Sequence, residues 1–115
     1  MVKKPKKLVT TKSIKAAYDL LKVTAFSDIK LPVNVSFRAS KMSKFWGLYF
    51  WPDNLMVINT DITTCEQLLK TVAHEMVHSA WEKEAATSSD HDLHDENFNQ
   101  LAALICERMG WTGGV

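Results

Sequence analysis

Two histidines and a glutamate form the part of this sequence whose residue types and spacing are best suited to chemistry. His74 and His78 enclose Glu75 in the pattern H-E-x-x-H. On a helix, residues four apart lie one turn apart on the same side, so both imidazoles can reach a single metal ion. The glutamate beside the first histidine is then placed to take a proton from a metal-bound water. The pattern therefore predicts a metal-dependent hydrolytic centre with Glu75 as its base.

The segment around this motif predicts an amphipathic helix over residues 66–83. His74 and His78 fall on its polar side, with Glu75 at the margin, because the apolar residues recur at helical spacing in one stripe. The stripe consists of Leu68, Leu69, Val72, Ala73, Met76 and Ala80. Two histidines packed in a core would lie on that stripe, so a metal-binding face over a cleft is the better interpretation.

The other elements follow from periodicity and turn residues. A first helix is predicted over residues 11–24, capped by Thr10 or Thr11. Thr63 and Glu66 fit a capping box at the start of the metal-binding helix. Short runs of alternating or apolar residues predict three strands joined by antiparallel hairpins, at residues 33–38, 45–51 and 55–59.

The last helix carries an apolar face of Phe98, Leu101, Ala102, Ile105 and Met109. Asp95 can cap its start, and Gly110 stands where a left-handed C-terminal cap belongs. The predicted order is helix, three strands, helix, helix, which makes the fold class α+β.

Composition restricts the class of protein. At 115 residues, with 46% hydrophobic and 23% charged residues, the chain has the size and composition of one soluble globular domain. No apolar run reaches the length of a membrane span, and the lysine-rich start lacks the apolar centre of a signal peptide. Cys65 and Cys106 form no C-x-x-C pair. We therefore expect an intracellular, cytoplasmic protein with both thiols reduced.

The net charge of +1 hides an asymmetry, because five lysines give the first twelve residues +5 and leave −4 on the remainder. We predict a flexible basic arm over residues 1–10 and one domain over residues 11–115. Acidic residues gather after the motif, at Glu82, Glu84, Asp90, Asp92, Asp95 and Glu96. A duplex phosphate backbone would be repelled there, so any nucleic-acid contact is expected at the arm or at residues 41–44.

A catalytic zinc site uses three protein ligands and an open position for water, so a third ligand is needed. The extended form H-E-x-x-H-x-x-G-x-x-H fails, because Trp81 and Glu84 stand where Gly and His are required. A glutamate on the following helix is another known solution. Glu96 near the start of that helix stays a candidate, whereas Glu107 lies near its far end.

His91 and His94 are the remaining candidates, since the loop before them is long enough to fold back. His94 is favoured as the third ligand, because it lies just before the start of the last helix and Phe98 would anchor the backbone there. A rigidly placed ligand serves better than one on a loop. His91 is interpreted as an exposed histidine, with metal ligation or support of the site as alternatives.

Two stretches resemble a known family: His74-Glu75-Met76-Val77-His78-Ser79-Ala80-Trp81, and His94-Asp95-Glu96-Asn97-Phe98. They are similar to the core of SprT-like (Spartan-type) metallopeptidases. The pattern of that core is H-E-x-x-H, then a variable loop, then H-x-x-x-[FW] opening a helix. WLM-type proteases share a similar ending, so the resemblance is to the wider group. It covers roughly residues 11–111.

The resemblance implies a zincin-like fold with one zinc ion on His74, His78 and His94, and with Glu75 as the general base. It implies a zinc endopeptidase that acts on protein or peptide substrates. Better-known members degrade proteins crosslinked to DNA. Two features are expected to depart from the family pattern: Asp95 stands where Gly is frequent after the third histidine, and we expect a domain without the zinc ribbon that many members carry. Both departures weaken the case for DNA targeting.

Two alternatives stay open beside the peptidase. One is a catalytically inert, zinc-stabilised binding module, against which the intact Glu75 argues. The other is a nucleic-acid-binding protein that uses the basic arm and residues 41–46. In the peptidase hypothesis, an extended substrate is expected to add to the sheet along residues 55–59.

Overall fold

The first helix and its cap follow directly from the sequence. The computed structural model describes residues 7–50, 53–80 and 96–112. Helix α1 spans Thr11–Val23, and the Thr10 hydroxyl accepts a hydrogen bond from the Ser13 backbone N–H at 3.0 Å. The Ser13 hydroxyl accepts in turn from the Thr10 N–H at 2.8 Å, which completes a reciprocal cap. The buried side of α1 consists of Ile14, Ala17, Tyr18 and Leu21.

Three strands form a mixed sheet: β1 (Ser36–Ser40), β2 (Gly47–Phe50) and β3 (Leu55–Asn59). Their order is β1-β3-β2, with β2 antiparallel and β1 parallel to β3. The predicted β2–β3 hairpin is confirmed, whereas the expected antiparallel hairpin between β1 and β2 is wrong. Since β3 is the central strand, its hydrogen-bonding groups face β1 and β2, and the predicted docking of a peptide along residues 55–59 is wrong as well.

Helices α1 and α2 cover one face of this sheet. The register places Phe37 and Tyr49 on either side of Met56, so these side chains share that face. The Tyr18 ring of α1 contacts the Phe37 ring, with 5.2 Å between centroids. Met56 is fully buried at the centre of the face. The sheet therefore provides the floor on which the motif helix packs.

Helix α2 spans Cys65–Ala80. The Thr64 hydroxyl accepts a hydrogen bond from the Gln67 N–H at 3.1 Å, and the Thr64 carbonyl accepts from the Leu68 N–H. The cap is therefore Thr64, one residue later than the predicted Thr63. The helix packs against α1, β2, β3 and the last helix, so its whole stretch from Ala73 to Ser79, apart from the half-buried His74, is buried.

Helix α3 spans Glu96–Met109 and ends at Gly110, whose φ of 72° confirms the predicted left-handed cap. Near its end, Arg108 donates two hydrogen bonds to the Asp28 carboxylate, at 2.6 and 2.9 Å. It also donates to the Ala25 carbonyl at 2.7 Å. This contact ties the far end of α3 to the segment that follows α1. The fold class is α+β, as predicted.

Several predicted features lie partly or wholly outside the described residues. Of the predicted arm, residues 1–6 lie outside, but Val9 is only 1% exposed and Leu8 packs against the core. The arm prediction is therefore wrong for these two residues. His91, His94 and Asp95 are also outside the described residues. None of the described helices has the length and hydropathy needed to cross a bilayer.

Candidate metal centre

The two motif histidines lie side by side on α2. Their ring centroids are 5.0 Å apart, with 72° between the ring planes. His78 is only 8% exposed, and His74 is half-buried. Because a helix places residues i and i+4 on one side, the two imidazoles lie on the same side of α2.

This separation fits a shared metal ion. Zinc lies about 2.0 to 2.1 Å from a histidine nitrogen, which places it about 3 Å from the ring centre. Two imidazoles at a tetrahedral angle on one ion then have centroids about 5 Å apart. The observed 5.0 Å between His74 and His78 agrees with that geometry. Among the residues that the structure describes, no group of three His, Cys, Asp or Glu side chains converges as a metal site.

Glu75 is buried rather than at the margin of the helix. Its side chain is 3% exposed, because α2 packs on several elements. Its Oε1 atom has no hydrogen-bond partner among the described residues. Loss of solvation raises the pKa of Glu75 to about 8 in the metal-free protein. A cation beside this carboxylate would favour its ionised form, so the orphaned oxygen fits a neighbouring metal ion.

Gly47 of β2 lies directly against Glu75, and the motif gave no indication of this contact. A Cβ placed on Gly47 would lie 3.0 Å from Oε2 of Glu75 and 3.1 Å from its Cγ. A glycine inside a strand can indicate close approach of another group, and this was the available sequence signal. The glycine places the edge of the sheet beside the motif.

Phe98 closes the site from α3. Its ring centroid lies 5.1 Å from that of His74 and 4.5 Å from that of His78, and the side chain is 4% exposed. The predicted role of Phe98 as an anchor is consistent with this burial. His94 precedes Phe98 by four residues but lies outside the described residues, so its predicted ligation stays a prediction.

The glutamate alternatives on α3 have other surroundings. Glu96 is exposed, and its Oε1 atom accepts a hydrogen bond from Gln100 at 3.3 Å. Glu107 is exposed on the last turn of α3, beside Arg108. The described contacts therefore form two sets: the rings of His74, His78 and Phe98 pack together, and the Glu75 side chain lies against Gly47.

Comparison with known proteins agrees with this arrangement. The family model described as the SprT-like family matches residues 14–112, which is most of the chain. No curated protein and no solved structure shows a significant match to this sequence. The matched range includes most of α1, the other five described elements and the H-E-x-x-H motif. The chain therefore belongs to the SprT-like family.

Proposed function

We propose that this protein is a zinc metalloendopeptidase that hydrolyses peptide bonds, with Glu75 as the catalytic base. One observation carries the proposal: the residue that directly follows His74 has a buried carboxylate without a hydrogen-bond partner among the described residues, and the His74 and His78 ring centroids are 5.0 Å apart. Such a carboxylate would be costly in a purely structural role. Membership of the SprT-like family, which is associated with metallopeptidase-like domains, supports the proposal.

His74, His78 and His94 are the proposed zinc ligands. The first two come from α2, and the third would come from the segment that enters α3. When bound, zinc lowers the pKa of a water ligand to about 7 and polarises the scissile carbonyl. Phe98 packs against both described imidazoles, so it holds them in the orientation that ligation requires.

Glu75 performs the proton transfers in this proposal. In its ionised form it accepts a proton from the attacking water and then delivers that proton to the leaving amine. Burial raises the pKa of Glu75, and a positive charge beside the carboxylate would favour its ionised form.

The proposed substrate lies along β2 rather than β3. In the described sheet, β2 has β3 as its one neighbour. The Asn59 N–H donates to the Trp46 carbonyl, so the alternation of an antiparallel ladder directs the N–H and C=O of Gly47 away from β3. A peptide paired there would pass beside Glu75. Backbone pairing reads few side chains, so we expect loose sequence preference, with DNA-associated proteins among the candidate substrates.

The substitution Glu75→Gln tests this proposal. Glutamine keeps the shape of the side chain but cannot take a proton, so the variant should bind zinc as the wild type does and lose cleavage of an unfolded protein such as casein. Glu66→Gln, an exposed change on the first turn of the same helix, is the matched control and should retain full activity.

Wild-type rates of cleavage in the Glu75→Gln variant would refute the role of Glu75. A zinc-loaded wild type that cleaves no protein or peptide substrate would instead favour the inert zinc-stabilised module.

A nucleic-acid-binding function is the second candidate, and one observation favours it. Trp46 is 53% exposed beside the exposed Lys44, and Lys41 is exposed in the same loop. Two hydrogen bonds from the Asn59 amide to the Met42 and Phe45 carbonyls, both 2.9 Å, fix that loop. Binding of single-stranded DNA should then weaken steeply with salt and be lost in Trp46→Ala. Unchanged binding in that variant would exclude this surface.

A further inference from the structure

We infer that Gly47 is a positioning residue for Glu75. Because this position in β2 carries no side chain, the strand lies close enough to α2 to restrict where the Glu75 carboxylate can lie. The inference rests on the proposed function, in which that carboxylate is the base. It assigns a role in the reaction to a residue outside the H-E-x-x-H motif.

The space at Gly47 is already filled by α2. An added Cβ would lie 2.9 Å from Cγ2 of Thr71, 3.0 Å from Oε2 of Glu75 and 3.1 Å from its Cγ. Carbon atoms in contact are ordinarily about 3.5 to 4.0 Å apart, so a methyl group here must displace a neighbour. The Glu75 carboxylate is the end of a flexible side chain, and it moves more readily than the paired backbone of β2.

The backbone conformation of Gly47 does not itself require glycine. Among the described glycines, the positive φ belongs to Gly110, at 72°. A Cβ on Gly110 would meet nothing within 4 Å. The two residues are therefore opposites, because alanine at Gly47 creates a contact whereas alanine at Gly110 creates only backbone strain.

This contrast gives a matched pair of variants. Gly47→Ala should keep wild-type zinc content and a little-changed KM but lower kcat about 10- to 100-fold, because the base is misplaced. Gly110→Ala should lower the unfolding midpoint in urea and keep kcat. An unchanged kcat in Gly47→Ala would overturn the inference, and so would an equal loss of kcat in both variants.

A second measurement does not depend on activity. Gly47→Ala is introduced into proteins with Glu75 and with Glu75→Ala, and every variant carries Thr71→Ser so that only the Glu75 contact differs. The drop in urea midpoint caused by Gly47→Ala should be smaller when the glutamate side chain is absent. Equal drops in both backgrounds would overturn the inference. If Gly47→Ala does not fold, recovery of folding with Glu75→Ala supports the contact and continued failure contradicts it.

The two measurements separate the inference from the proposed function. A zinc-loaded wild type without peptidase activity would refute the function, whereas the urea midpoints would still decide whether Gly47 determines the position of Glu75.

Discussion

The Phe98 side chain connects α3 to the H-E-x-x-H motif. Its ring contacts both imidazoles, at 5.1 and 4.5 Å between centroids, and it is almost completely buried. Aromatic edges and faces restrict the rotation of the rings they touch. Phe98 therefore reduces the freedom that His74 and His78 would lose on binding a metal ion.

Replacing Phe98 by leucine tests this role. We expect Phe98→Leu to cost about 1 to 2 kcal/mol of stability and to weaken zinc binding up to about tenfold, since the imidazoles gain freedom. The control is Ile105→Val, a fully buried position on the same helix, which should cost about 0.5 to 1.5 kcal/mol and leave zinc affinity unchanged. Chelator competition measures the affinity, and equal affinities in the two variants would contradict the role of Phe98.

The Thr64 side chain determines the residue at which helix α2 begins. Its hydroxyl satisfies the Gln67 N–H, one of the N–H groups at the helix start that lack a partner within the helix. Thr64→Ala should therefore cost about 1 kcal/mol, whereas Thr63→Ala at the neighbouring exposed position should change stability by less than about 0.5 kcal/mol. Urea unfolding of both variants measures the difference. A larger cost for Thr63→Ala would place the cap where the sequence alone predicted it.

Local signals in the sequence were sufficient for the helices. The period of Leu68, Val72, Ala73 and Met76 and a threonine cap predicted α2 with a start one residue from the observed one. The spacing of Phe98 and Ile105 predicted the buried side of α3, and Gly110 predicted where that helix ends. The apolar spacing and the capping residues of a helix lie within a few turns of one another along the chain. A single sequence is therefore sufficient to predict the helix.

Strand partners could not be predicted in the same way. Alternation indicates that a strand exists, but it does not identify the neighbour to which the strand bonds. Strand β1 pairs in parallel with β3 and not with β2, its neighbour in sequence. Strand β3, which was expected at the edge of the sheet, is therefore the central strand. The burial of Glu75 and its contact with Gly47 result from the packing of β2 on α2. The periodicity of α2 contains no information about that packing, and for this reason it predicted Glu75 at the margin of the helix.

An ion pair between two residues far apart in sequence connects α3 to the segment that follows α1. Arg108 and Asp28 are 80 positions apart and form a two-pronged ion pair that connects α3 to the end of α1. The hydrogen bonds from Arg108 hold the pKa of Asp28 below its ordinary value, which partial desolvation opposes. The pair therefore helps to hold α3 against the segment that follows α1.

A lowered pKa in the folded state fixes the direction of the pH dependence. The contribution of Asp28 to stability is present above the ordinary carboxyl pKa of 3.8 and is lost as the pH falls through the lowered value. The thermal midpoint of the wild type should thus fall more between about pH 5 and about pH 2 than that of Asp28→Asn. Asp61→Asn, at another exposed carboxylate, is the control and should follow the wild type. An unaltered acid dependence in Asp28→Asn would contradict this account.

We propose that α2 and the segment preceding α3 together bind one zinc ion, and the zinc content per chain measures this. We expect about one zinc ion per wild-type chain, largely lost in His78→Ala and in His94→Ala, with His91→Ala as the matched control that retains it. One zinc ion in His94→Ala would assign the third ligand to another residue. A folded wild-type protein that binds no zinc in the presence of excess zinc would refute the proposed zinc site.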